Sequence, residues 1–137
     1  MKTGHEIESD IFGFLKGSAL TADLDGGLYR SGTRPRDSKA EDLVVIFTSS
    51  DAEQVQSGVV TLNAYVPDIY LSDNGVPIEN IARCEEVEGL MRDEVTAWKA
   101  GMSSYKFKLN TAIHTQRDED IHQSFVVARL GFQILDS

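Results

Sequence analysis

Apolar positions recur along the chain with two different periods, and the switch between them sketches the fold. Ile7, Ile11, Phe14 and Leu15 fall on one face at helical spacing, with Glu6, Glu8, Asp10 and Lys16 assigned to solvent. Thr3-Gly4-His5-Glu6 just ahead of them fits a capping box, so a helix is expected to start here. The segment TADLDGG reads as a last helical turn followed by a glycine break at Gly26 and Gly27. Leu28-Tyr29-Arg30 reads as a short strand, and the polar, proline-bearing SGTRPRDSKAED as a loop. Residues 43–48 (LVVIFT) are almost all apolar, as expected of a strand buried on both faces or lying mid-sheet. Residues 58–66 alternate cleanly, with Val60, Leu62, Ala64 and Val66 on the face assigned to the core and Val59, Thr61, Asn63 and Tyr65 on the other.

Pro67 removes a backbone donor, so pairing is expected to weaken there, and DIYLSDNGVP reads as a loop with a turn at Asn74-Gly75. From a cap at Asn80, Ile81, Cys84, Val87, Met91, Val95 and Trp98 recur at helical steps up to a stop at Gly101. Residues 105–113 alternate again, residues 115–120 (TQRDED) read as a charged loop, and residues 121–135 supply the partner of a terminal hairpin. The order α-β-β-β-α-β-β predicts one α+β domain over residues 1–137, a mostly antiparallel sheet packed against two helices.

Composition narrows the function. Thirteen Lys and Arg against 22 Asp and Glu leave a net charge of −9, a field that repels phosphate backbones, so no specific nucleic-acid binding is expected. With Cys84 the only cysteine, neither an internal disulfide nor a cysteine zinc cluster can form. No signal-peptide pattern and no apolar run of membrane-spanning length occurs, and a cytosolic setting without membrane contact is expected.

The search for catalytic patterns returns little. GxSxG, GxGxxG, Walker-type and HExxH patterns are missing. A cysteine phosphatase needs an Arg six residues after its nucleophile, but Leu90 stands there, and Cys84 lies on an apolar helical stripe. His114, Asp118, Asp120 and His122 could come together across a hairpin to hold a divalent metal, although a solvated loop explains them better. The acids Glu85-Glu86 and Asp93-Glu94 fit a solvated helix face. Neither a cofactor nor a small-molecule substrate is expected. Arg30, Arg34 and Arg36 form a basic segment in an acidic chain, either a solubilising loop or a contact for an acidic surface such as that of a neighbouring copy.

Taken together, IFGFLKGSAL, GLYRSGTRPRDSKAEDLVV, GVVTLNAYVPDI, the acidic helix and HQSFVVARLGFQIL resemble the phage tail completion and tail terminator proteins over most of the chain. YRSGTRPRDSKAEDLVV and VVTLNAYVPDI are also similar to segments of proteins encoded in bacterial genomes and prophages. The resemblance implies a non-enzymatic subunit that assembles as a homo-oligomeric ring at the head-proximal end of a tail tube. Its partners would be other tail or connector proteins, and its place the bacterial cytoplasm and then the virion. By the same resemblance the candidate contacts are Arg30, Arg34 and Arg36, the loop 67–77 with Asp68 and Tyr70, and the loop 115–120 with Arg117 and Asp118. An acidic wall would keep such a ring from adhering to DNA in its lumen. The competing readings are a small adaptor module binding through a sheet edge, and an enzyme with an unfamiliar site in the 114–122 loop.

Overall fold

The computed structural model describes residues 1–70, 75–101 and 104–135. Its order is α1 (Gly4–Leu15), α2 (Ala19–Asp23), β1 (Leu28–Arg30), β2 (Leu43–Ser50), β3 (Ser57–Pro67), β4 (Ile69–Tyr70), β5 (Pro77–Ile78), α3 (Ile81–Gly101), β6 (Tyr105–Leu109), β7 (His114–Asp118), a 3-10 turn (Glu119–Ile121) and β8 (Gln123–Ile134). This is an α+β fold. The main sheet runs β1-β2-β3-β8-β6, with β7 also paired to β8, and only the β1–β2 pair is parallel.

The spine is β3 against β8, antiparallel and in unbroken register from Ser57 opposite Gln133 to Pro67 opposite Gln123. Because side chains alternate, this register puts Val60, Leu62, Ala64 and Val66 on the same face as Leu130, Ala128, Val126 and Ser124. All of these are buried. The three helices cover this face and no other. α1 lies over β1 and β2, and α3 over β6, β7 and β8. Phe14 joins the two, meeting Trp98, Tyr105 and Phe107 edge-on at 5.5 to 6.4 Å between ring centroids.

The caps form as the sequence predicts. The Thr3 hydroxyl accepts from the Glu6 amide while Glu6 accepts from the Thr3 amide, and the Asn80 side chain accepts from the Arg83 amide at 3.2 Å.

Several expectations change. Residues 21–23 of TADLDGG do not continue α1 but close a separate helix, α2, which starts at Ala19 because the Ser18 hydroxyl restarts the helical ladder after Gly17 turns at φ +72°. Glu8, assigned to solvent, is buried because it pairs with Arg30 at 2.7 Å, and Asp10 accepts from the Tyr105 hydroxyl at 2.7 Å. Residues 43–48 are buried only as far as Val45; Ile46 and Phe47 are half-buried and Thr48 is exposed. Pro67 does not end pairing, since Ile69 and Tyr70 pair with Ile78 and Pro77 in a two-stranded ribbon. Gly75 takes φ +72°, while Asn74 of the expected turn lies outside the described residues.

The single strand expected over 105–113 is two strands. At β7 the register slips by two residues, since His114 stands opposite Val127 where an unbroken strand would meet Phe125. A slip of two preserves which face each side chain takes, so Thr115 and Arg117 still share the face of Phe107. The loop expected over 115–120 is mostly β7, and the reversal is made by the 3-10 turn and His122 at φ 54°.

Residues 31–42 do not stand away from the body. Arg34 donates to Asp42 at 2.8 Å and to Gln123 Oε1 at 2.8 Å, and its guanidinium lies 3.8 Å from the Tyr65 ring centroid. Gln123 in turn donates to the Ser38 carbonyl at 2.8 Å. Asp42 also accepts from the Ser38 hydroxyl and from the Gly27 amide. Gly26 crosses this knot so closely that a Cβ would lie 2.5 Å from the Glu41 carbonyl oxygen, which only glycine tolerates.

Burial opposes ionisation of Asp42, but the bonds from Ser38, Gly27 and Arg34 outweigh it and hold the carboxyl below its usual range. A depressed folded value means that this stabilisation is present above the unfolded value near 3.8 and is lost as pH falls through the lower folded value. Urea titrations from pH 7 down to pH 2 should therefore show a steeper loss of stability for the wild type than for Asp42→Asn. Parallel curves would remove Asp42 as a source of acid sensitivity.

Candidate interaction surface

Four of the exposed large apolar side chains come from one short stretch: Tyr70 (61% exposed), Val76 (54%), Ile78 (40%) and Ile81 (66%). Ile81, which the helical spacing placed on the buried stripe, sits in the first turn of α3 and is exposed. The ribbon β4–β5 and the start of α3 thus form an apolar arm on a strongly acidic protein. Isolated exposed apolar residues are ordinary, but a cluster of them is the usual mark of a contact surface.

The arm is clamped at both feet. At the outgoing foot Asp68, its side chain 2% exposed, takes a two-pronged contact from Arg117, with Nη2 to Oδ2 at 3.0 Å. Arg117 Nη1 also donates to the Ser124 hydroxyl at 2.9 Å, and Ser124 donates to Glu79 at the returning foot at 3.0 Å. Glu119 adds a second carboxylate to Arg117 at 3.2 Å. Its hydrogen bonds to Asp68 and then to Glu119 raise the Arg117 guanidinium above its already high range. Sequence spacing gives no hint of the Arg117–Asp68 pair, because the partners are 49 residues apart.

Each expected contact residue now has a place. Arg30 is paired with Glu8 and donates to the His5 carbonyl at 2.9 Å, and Arg34 lies in the knot around Asp42. Arg36 is exposed and has no ion pair among the described residues. Asp68 and Arg117 make the clamp, Tyr70 projects from the arm, and Asp118 is half-buried opposite Gln123. The structure joins Asp68, Tyr70 and Arg117 into one feature and holds Arg30 and Arg34 inside the fold.

His114, Asp118, Asp120 and His122 do not converge. The His114 ring nitrogens face the Ala112 carbonyl at 2.9 Å and the Gln116 amide at 3.0 Å, and no group of three or more His, Cys, Asp or Glu able to hold a metal occurs among the described residues. Cys84 is buried behind the arm. Burial, then the charge of Glu79, pushes its thiol up to about 11.

A second concavity lies at the far end of the sheet, on the face without helices. It has a volume of about 760 Å³ and is lined by Ser57, Val59, Lys106, Lys108, Gly131 and Gln133 among others. At its centre Gly131 stands between Val59 and Lys108 in register, and the Asn110 and Lys108 side chains lie over it, so that a Cβ there would come within 2.8 Å of Asn110 Oδ1.

No helix among the described residues is long and apolar enough to cross a membrane. Compared with known proteins, the chain matches no family model and no curated protein.

Two outcomes follow for the arm. Arg117→Ala strands the buried Asp68 carboxylate and should cost about 3 kcal/mol, while Arg117→Lys, which keeps charge but loses the fork, should cost about 1 kcal/mol; urea unfolding separates them. Cys84 should react with a disulfide reagent at pH 8 at least roughly 100-fold more slowly in the folded protein than in urea, since its thiolate fraction is suppressed. Equal rates would mean that the arm does not shield it.

Proposed function

We propose that the protein is a non-enzymatic structural subunit of a phage tail or head-tail junction, one that assembles as a ring at the end of the tail tube. The observation that carries this reading is the apolar arm of Tyr70, Ile78 and Ile81, fastened at both feet by Arg117 and Ser124. An exposed apolar surface is costly for a protein that stays alone, and one held rigid by buried polar contacts is preorganised for a partner. The order of elements that carries the resemblance to tail completion proteins supports the same reading. So does the negative charge, which would keep a ring wall from adhering to passing DNA.

The alternative is an adaptor that binds through a sheet edge. The outer side of β7 favours it, because among the described residues β7 pairs with no strand but β8.

Light scattering and negative-stain images of the wild-type chain, alone and with assembled tail tubes, test the reading. Rings are expected, and Tyr70→Ser with Ile78→Ser should abolish them with the far-UV spectrum unchanged. A chain that stays monomeric in both settings overturns the ring, and a complex with one foreign partner through β7 favours the adaptor.

A further inference from the structure

The arm and the lysine-lined concavity are complementary and cannot meet within one molecule. The concavity lies at the Ser57 end of β3 and the arm follows the Pro67 end, roughly 34 Å away along the strand. They also lie on opposite faces, since Arg117 and Ser124, which hold the arm, share the helix-covered face, whereas Lys106, Lys108 and Gly131 share the uncovered one.

Charge chooses the occupant. Lys106 and Lys108 project from one side of β6 into the concavity, and neither has an ion pair among the described residues, although acids outnumber bases in the chain by 22 to 13. Asp51, the carboxylate at the rim, is occupied by the amide and hydroxyl of Ser57 at 3.1 and 2.9 Å. Between Lys39 and Arg83 the chain has no lysine or arginine at all, so the arm presents no cation to repel the lysines. One turn beyond Ile81, on the same side of α3, stands Glu85, exposed and with no ion pair among the described residues. The ribbon thus offers Tyr70 from one side and Ile78 from the other, and the start of α3 adds Ile81 and an exposed carboxylate. The concavity offers Val59 and the two lysines.

We propose that the concavity receives the arm of a second copy of this chain, the arm's apolar side chains packing against Val59 and Glu85 meeting Lys106 and Lys108. Donor and acceptor are different surfaces, so the contact is head-to-tail and propagates until it closes on itself. The inference deepens the ring reading and rests on it.

Two variants are made, an arm variant (Tyr70→Ser with Ile81→Ser) and a concavity variant (Lys106→Glu with Lys108→Glu). Each alone should self-associate at least about tenfold more weakly than the wild type. Mixed, they should form a dimer of one copy each and stop there, because the concavity variant still has an arm and the arm variant still has a concavity. In parallel, the unlabelled concavity variant, which keeps its arm, is titrated into the 15N-labelled arm variant, which keeps its concavity. It should shift the amides of Val59, Lys106, Lys108 and Gly131, and adding Glu85→Lys to the titrant should weaken that binding. Rings that survive both variants overturn this contact and leave the ring reading standing. Shifts at the concavity from a chain that never forms rings keep the contact and overturn the ring. A titrant that shifts nothing, or a short DNA duplex that shifts these amides in its place, overturns the contact.

Discussion

The eleven-residue register between β3 and β8 is the constraint from which the rest of the molecule follows. Side chains on paired strands alternate in phase, so a single slip would exchange Val60, Leu62 and Ala64 for Val59, Thr61 and Asn63 at the core. With the phase set, one face is continuous apolar surface and must be covered. α1 and α3 do this by sharing the aromatic cluster around Phe14. The opposite face mixes Thr61, Asn63 and Arg129 with Tyr65 and Phe125, carries no helix among the described residues, and takes the 31–42 segment over its Tyr65 end. The uncovered face and the concavity at its end are therefore consequences of register. They exist because only one phase of the strands was apolar enough to attract helices.

Charge is arranged around the same asymmetry. Arg30, Arg34, Arg83 and Arg117 each hold a carboxylate of another segment: Glu8, Asp42, Glu41 and Asp68. Arginine suits these places because its planar fork can satisfy several acceptors at once, as Arg83 does with Asp23, Glu41 and Glu86. The lysines are distributed differently. Lys106 and Lys108 sit on strand positions where the alternation sends them to the uncovered face, and neither has an ion pair among the described residues. A chain with an excess of acid thereby keeps an uncompensated positive spot.

What the sequence could reveal was set by how local each signal is. The capping box at Thr3, the Asn80 cap and the core phase of β3 involve residues within a few positions of one another, and each forms as the local chemistry dictates. The ion pairs were illegible for the opposite reason. Glu8 and Asp10 look like solvent residues on an amphipathic helix until Arg30 arrives to bury the one and Tyr105 to bond the other. The split between β6 and β7 was hidden because a two-residue slip keeps the alternation intact, so residues 105–113 read as one strand. Of the candidate contacts, Arg30 and Arg34 looked available only because their acidic partners could not be seen. Asp68 and Arg117 were chosen separately as loop residues, and their value as a pair is tertiary.

The clamp explains why an apolar ribbon this short can exist. Two strands of two residues each have almost no stability of their own, and water competes for their backbone bonds. Fastening Asp68 and Glu79 to adjacent residues of the β7–β8 hairpin brings the feet of the ribbon together, so its closure entropy is met by the main sheet. The ribbon can then carry Tyr70 and Ile78 in fixed positions without a core beneath them. A loop serving only solubility would gain nothing from being held so firmly. An apolar surface held rigid on one side of a molecule, with an unneutralised concavity on the other, has the geometry of two ends of one joint.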